Sequence, residues 1–436
     1  MVFGVNRNPN TDVVGSGTKG LTALLVAQFM GAANDNILKT LLSLFVVQGI
    51  WEGKLGEGGQ GYIALCLFVP FILLSGWAGP LADRFSKRTI AIQMKWLELP
   101  LATTAACGFI FDNFWLTAVA MILLATQSTF FSPAKYGMIP ELVPKPLVSR
   151  TNGWLNMTTN VAVITGMLVA GIISTKMQQG ADLNSTEEIK TGLLSNSSLF
   201  IPGMVLIGVA FVGIAAIVWL PKLKPLDPTT TIPINPFSSY VATLKEMWGT
   251  PLFTCAIAWA LFYLLATVAI LFIMELGKIL TVSYMQVTYL LASIGIAVGV
   301  GSLCAGFLSK GRIRLELSEI GVIAMIIVLA IAGLAPLSYW VMLSCLVGLG
   351  LSAGFYAIPL QSLMQLLPHD AHRGRVLATS NAISFLFMAI GSLTYSLCRP
   401  LFGSSPQYVF IACSVIAIGA WMICRRIPND CVESEK

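Results

Sequence analysis

Charge is scarce in this chain. Of 436 residues only 11% are Asp, Glu, Lys or Arg, less than half of the roughly 25% that a soluble domain carries. Histidine is scarcer, with His369 and His372 the two in the sequence. The nine cysteines show neither a C-x-x-C spacing nor a grouping with histidine. Cys66, Cys107, Cys255, Cys304, Cys345 and Cys413 lie inside apolar runs, where cysteine acts as a small hydrophobe. Together these shortages exclude a soluble enzyme, a disordered chain and a nucleic-acid binder, and they leave no donor set for a metal or a cofactor. Residues 1–18 are polar and no short apolar core with a small-residue cleavage site follows, so no signal peptide is expected.

Apolar residues, in contrast, make up 56% of the chain. They gather in near-continuous runs at about 20–48, 61–82, 89–111, 114–134, 151–175, 199–220, 251–274, 285–308, 317–335, 338–360, 376–398 and 407–424. Each is long enough to cross a hydrocarbon core as a helix of about 20 residues. A barrel would show alternating ten-residue segments instead. The sequence therefore predicts an all-α integral membrane protein of twelve transmembrane helices.

Segment 221–249 carries five prolines and cannot begin as a span. It divides the chain into an expected six-helix bundle over 1–220, a linker over 221–249 and a second six-helix bundle over 250–436. Faintly repeated sequence supports the duplication: Pro144 with Arg150 and Asn152 after span four, and Pro368 with Arg373, Arg375 and Asn381 after span ten. Nineteen basic residues fall on the side of the termini against five on the other, so the positive-inside rule predicts cytoplasmic termini.

Two constellations carry chemistry. Span one contains Asn34, Asp35, Asn36 and Lys39. If the helix starts near Gly20, Asp35 lies about 22 Å along it, past the bilayer centre, and Lys39 sits one turn further on the same face. Ionisable groups at that depth cost about 2.5–3.5 kcal/mol on insertion scales and turn to a cavity or a partner. The four residues are candidate substrate contacts, and an internal Asp35–Lys39 ion pair that only shapes the bundle is the competing reading. Span three adds Lys95 and Glu98 at i,i+3, expected to pair, with Lys95 shallow enough to reach the cytoplasmic face. Glu275 and Lys278 sit at a span end, where solvent accounts for them.

The second constellation is the loop between spans two and three, Gly79-Pro80-Leu81-Ala82-Asp83-Arg84-Phe85-Ser86-Lys87-Arg88. It resembles the GxxxDRxGRR signature of the major facilitator superfamily, with Ser86 where glycine is usual. Gly79 permits close helix contact, Asp83 can cap a helix end or pair with a base of the other bundle, and Arg84, Lys87 and Arg88 hold the loop at the cytoplasmic face. The resemblance makes these gating residues. The matching loop of the second half, Gly306 to Arg312, keeps glycine and charge but lacks the aspartate.

Span four ends in Ser132-Pro133-Ala134-Lys135-Tyr136-Gly137. With Ala27-Gln28-Phe29 and Asp35-Asn36 in span one, Thr151-Asn152-Gly153, and Pro359-Leu360-Gln361 after span ten, it is similar to the bacterial lysophospholipid transporter family. That resemblance runs from about Gln28 to the last span. It implies inward movement of lysophospholipids, chiefly lysophosphatidylethanolamine, across the bacterial inner membrane, by a monomer linked functionally to a cytoplasmic acyltransferase and ligase. It also places Ser132, Pro133, Lys135 and Tyr136 in a family motif. The alternative is a small-molecule or drug exporter of the same superfamily. Span four lacks the RxxxG, and span five the proline motif, of the proton-driven exporters. An enzymatic role would fall to His369 or His372, and neither has an aspartate five residues on or faces an evident pocket.

Overall fold

The computed structural model describes residues 9–47, 59–182, 196–282, 284–402 and 405–428. Within them it contains helices alone: α1 (Pro9–Val47), α2 (Gly59–Arg84), α3 (Lys87–Ile110), α4 (Phe114–Leu142), α5 (Val148–Asp182), α6 (Asn196–Ile217), α7 (Pro236–Met247), α8 (Pro251–Ile279), α9 (Tyr284–Leu308), α10 (Leu315–Leu334), α11 (Tyr339–Leu366), α12 (Arg373–Leu401) and α13 (Val409–Cys424). Twelve of them form two six-helix bundles, α1–α6 and α8–α13. Residues 183–195, between α5 and α6, lie outside the described residues.

Among the described residues, ten helices are long and apolar enough by composition to cross a membrane. The two bundle helices missing from that set, α1 and α3, are the ones that carry Asp35, Lys39, Lys95 and Glu98. Their polar residues lower the hydropathy, and packing inside the bundle compensates for it.

The cores differ between the halves. In α8–α13 one continuous apolar cluster runs from Met247 through Phe272, Tyr356 and Phe410 to Ile427. In α1–α6 the core is split. One cluster gathers Ile37, Leu41, Phe45, Phe109 and Leu124, and a second gathers Leu24, Ala27, Met138, Leu142 and Ile217. A layer of charge separates the two.

The bundles meet along two seams, α2 against α12 and α5 against α9. Both seams are tight at the end where most basic loops lie, termed here the basic end. A Cβ on Gly79 would stand 2.8 Å from Arg375 Cα, and one on Gly374 would stand 2.8 Å from Gly79 O, so this crossing admits only glycine pairs. Across the other seam Gly153 lies against Ser302 and Gly306 against Ser149.

The linker is not all loop. Asn235 caps α7 by accepting from Phe237 N at 2.9 Å, and Pro236 occupies the first helical position, where its missing N–H costs nothing. The sequence reading saw the prolines and missed the cap they flank.

Candidate functional site

The charged layer opens on a cavity of about 210 Å³. Its wall is built from α1 (Gln28, Asp35, Asn36, Lys39), α3 (Lys95, Glu98) and α4 (Gln127, Ser128, Ser132, Lys135), with Thr159 from α5. On its apolar side stand Leu67 and Phe71 of α2 and, from the second half, Phe385 of α12. Every charged side chain at the cavity belongs to the first half.

The five charges are not equivalent. Lys95 Nζ and Glu98 Oε2 pair at 2.6 Å, and both side chains are almost wholly buried. Asn34 Nδ2 donates to Glu98 Oε1 at 3.0 Å, so the Glu98 carboxylate is satisfied on both oxygens. The i,i+3 pair is as the sequence predicts, but Lys95 does not reach the cytoplasmic face: it crosses to α1, where Gly31 makes room for its ammonium. A Cβ on Gly31 would lie 2.5 Å from Lys95 Nζ. Asn34 thereby supports Glu98 from behind and does not line the cavity.

Asp35 does not pair with Lys39 among the described residues. Its Oδ2 accepts from Ser128 Oγ at 2.9 Å. Lys39 and Lys135 both reach the cavity with no salt bridge among the described residues, and Asp35 is the carboxylate whose charge acts on both. Lys135 Nζ lies 4.4 Å from the Tyr136 ring centroid and 5.9 Å from that of Phe131, a cation–π arrangement that steadies an ammonium held out of water. Asn36 Nδ2 donates to Ala32 O at 2.8 Å, leaving its carbonyl oxygen free to face the cavity. With two carboxylates against three lysines, the cavity has one basic group in excess, on α1 and α4 and not in the Lys95–Glu98 pair.

The motif at the end of α4 resolves into separate parts. Ser132 Oγ accepts from Asn381 Nδ2 of α12 at 2.8 Å, tying the two halves together beside the cavity. Pro133 has no N–H to give the ladder, which releases the Thr129 carbonyl from its usual partner. Lys135 supplies the cation. Tyr136 packs against the cores of both halves. Gly137 lets the Lys87 stem cross α4, so that Lys87 Nζ meets Glu141 at 2.7 Å.

Below the cavity the basic end is shut by contacts between halves. Asp83 is fully buried, and its carboxylate accepts from Gly374 N at 2.6 Å and Arg375 N at 3.0 Å, capping the N-terminus of α12. Arg375 adds a charge contact at 3.5 Å. Arg84 is exposed over Phe85, while Arg88 Nε donates to Leu220 O at 2.7 Å and Ser86 Oγ to Leu223 O at 2.8 Å. Ser86, the departure from the signature, thus binds the linker. A second, uncharged clasp joins α5 to α11: Asn152 and Gln365 exchange hydrogen bonds at 2.9 and 3.0 Å, and Asn152 Nδ2 also reaches Ser362 Oγ at 3.1 Å.

Sequence reasoning did not assign Gln28, Gln127, Ser128 or Thr159 to a site, or bring Lys95 and Glu98 into it. Their signal was polarity inside apolar runs, readable only once the helices are known to face one another. Glu275, attributed to solvent, accepts a hydrogen bond from Tyr395. The side chain of Lys278 lies outside the described residues.

Two helical bundles around a buried charged cavity, closed at one end by contacts between the halves, define a multi-pass membrane transporter. The sequence profile of the Major Facilitator Superfamily matches residues 24–392, and the chain belongs to that superfamily. The protein named Lysophospholipid transporter LplT of Klebsiella pneumoniae subsp. pneumoniae is 25% identical over 425 residues, covering 94% of this chain and 97% of its own length. The protein of the same name from Photorhabdus laumondii is 24% identical over 355 residues, 80% of each chain. Among solved structures, the superfamily transporter FucP in the outward conformation superposes with a TM-score of 0.72 at 14% identity, covering 94% of this chain and 98% of its own. A bacterial homologue of the iron transporter ferroportin in an outward-facing state gives 0.67 at 16% identity over 93% and 98%. These two establish the fold.

Proposed function

We propose that this transporter moves lysophospholipids, of the lysophosphatidylethanolamine class, inward across the bacterial inner membrane, with both termini cytoplasmic and re-acylation by a separate cytoplasmic acyltransferase and ligase. The observation that carries the reading is the pair of lysines with no salt bridge among the described residues, Lys39 and Lys135, gathered with Asp35 in one cavity. A zwitterionic headgroup offers a phosphate to the lysines and an ammonium to Asp35, with Asn36 supplying a further hydrogen bond.

Size and polarity support the same reading. The cavity, at about 210 Å³, is smaller than the roughly 300–1,000 Å³ of drug-sized sites, so it suits a headgroup whose acyl chain lies elsewhere. Leu67, Phe71 and Phe385 supply apolar lining against which the acyl chain can start. The relatives' name, Lysophospholipid transporter, agrees with that amphiphile.

The experiment is uptake of labelled lysophosphatidylethanolamine into spheroplasts lacking their own transporter, comparing wild type with Asp35→Asn and Lys39→Ala at equal expression. Uptake by wild type that collapses in both variants supports lipid and site together. Uptake that survives in both removes the headgroup assignment. Absence of uptake by well-expressed wild type turns the assignment to the exporter of small molecules.

A further inference from the structure

The linker between the halves makes a contact deeper than a tether needs. Tyr240, in the middle of α7, accepts from Gly76 N at 2.9 Å and donates to Ile72 O at 2.7 Å through one hydroxyl. Those two backbone groups are the pair that an uninterrupted α-helix joins, i to i−4. A side chain entering that ladder is one of the few identified causes of a helix bend. The site is about 12 Å along α2 from Arg84, at 1.5 Å per residue.

The surroundings are arranged for the insertion. Pro80 has no N–H to offer the Gly76 carbonyl, so α2 is weakened on the following turn as well. Gly76 leaves the space in which α7 docks, since a Cβ there would lie 2.2 Å from Pro236 O. Trp77 Nε1 donates to Pro233 O at 3.0 Å, and Asp227 N donates to Asp83 O at 3.1 Å.

Both ends of this device matter for the site. Phe71, one residue before Ile72, lines the cavity and stacks on Phe385 of α12 with centroids 4.2 Å apart. At the far end of α7, Glu246 meets His372 at 2.6 Å, in the turn that leads into α12. So α7 is bonded to α2 through Tyr240 and to the second half through Glu246, astride the seam that Asp83 closes.

We propose that Tyr240 is a positioning residue for transport: by bridging the Ile72 carbonyl and the Gly76 N–H of α2 from α7 it seats Phe71 against Phe385 and keeps the basic end closed. The linker helix is then a working part of the gate. The inference does not depend on which substrate the cavity takes.

The test uses the full chain in lipid nanodiscs, with spin labels at Phe85 and His369 reporting the separation of the two halves at the basic end. Tyr240→Phe keeps the ring and removes the hydroxyl, so the bridge from α7 to Ile72 and Gly76 is lost. The expected result is a shift of at least fivefold in population toward the longer distance, with a lower maximal transport rate and an unchanged KM. Gly76→Ala, which displaces α7 and with it the Tyr240 hydroxyl, is expected to give the same shift, and Val241→Ala on the outer face of α7 none. Should Tyr240→Phe fail to accumulate, Gly76→Ala and Glu246→Gln decide the matter. Distance distributions identical to wild type in the variants that fold overturn the proposal.

Discussion

Asp83 of α2 accepts the backbone N–H of Gly374, the second residue of α12, at 2.6 Å across the boundary between the two halves. A fully buried carboxylate is here spent on a helix end 291 residues away in sequence. Its removal leaves two donors without partners and an uncapped dipole at the point where the halves separate. Charge-assisted hydrogen bonds of this kind contribute about 1.5–3 kcal/mol. Asp83→Asn is therefore expected to shift the halves toward opening at the basic end by about tenfold or more. Spin labels at Lys145 and Arg312, on opposite halves, measure it, and an unchanged distance distribution contradicts the role.

The same crossing makes glycine substitutions unequal. A Cβ at Gly79 meets Arg375 Cα, which is backbone and cannot yield, whereas one at Gly137 meets the flexible Lys87 stem at 2.7 Å. Gly79→Ala is expected to abolish transport while the protein still inserts. Gly137→Ala should retain most of it, at a cost below about 1.5 kcal/mol in a stability measurement. Equal losses in the two variants would mean that the α2–α12 contact is not the sensitive one.

The buried pair and the free lysine separate structure from binding. Removing one partner of a buried ion pair strands the other and costs about 3–5 kcal/mol, whereas replacing both with apolar groups is often neutral. Glu98→Leu is thus expected to lower the melting temperature steeply and Lys95→Met/Glu98→Leu to recover much of it. Lys135→Met, which breaks no salt bridge and leaves Asp35 its hydrogen bond from Ser128, should melt close to wild type. A thermal shift series in detergent distinguishes these outcomes.

The uncharged clasp at α5 and α11 gives a fourth expectation. Asn152→Ala leaves Gln365 buried with its amide unsatisfied, a cost of about 1–3 kcal/mol. That cost falls only on the state in which the halves touch at the basic end, so the variant should open like Asp83→Asn without losing affinity for substrate. Weaker binding with an unchanged Lys145–Arg312 distance would place Asn152 in the site instead.

Much of this was legible in the sequence because membrane spans announce themselves residue by residue, through length and hydropathy. The signature loop was legible because Gly79 and Asp83 act through backbone contact, which fixes residue type at fixed spacing. Asp35 stood out as a charge within an apolar run, although α1 starts at Pro9 and not near Gly20. What partner each charge takes did not follow. Spacing offered Lys39 to Asp35, one turn away, but the carboxylate took Ser128 from α4, and Lys95 found room only because α1 has Gly31 at the crossing. Lys135 was named through its motif, and its place among the cavity charges depends on how α4 packs on α1. The linker helix escaped notice because five prolines read as a break, while the Asn235–Pro236 start is a helix signal only two residues long.

The central claim is that Lys39 and Lys135 hold the phosphate of a lipid headgroup. It is tested most directly by equilibrium binding of lysophosphatidylethanolamine to the purified transporter in nanodiscs, for wild type, Lys39→Met and Lys135→Met. Loss of a charge-assisted contact worth about 1.5–3 kcal/mol predicts affinity at least tenfold weaker in each variant, at wild-type melting temperature. Affinity unchanged in both well-folded variants would contradict the assignment.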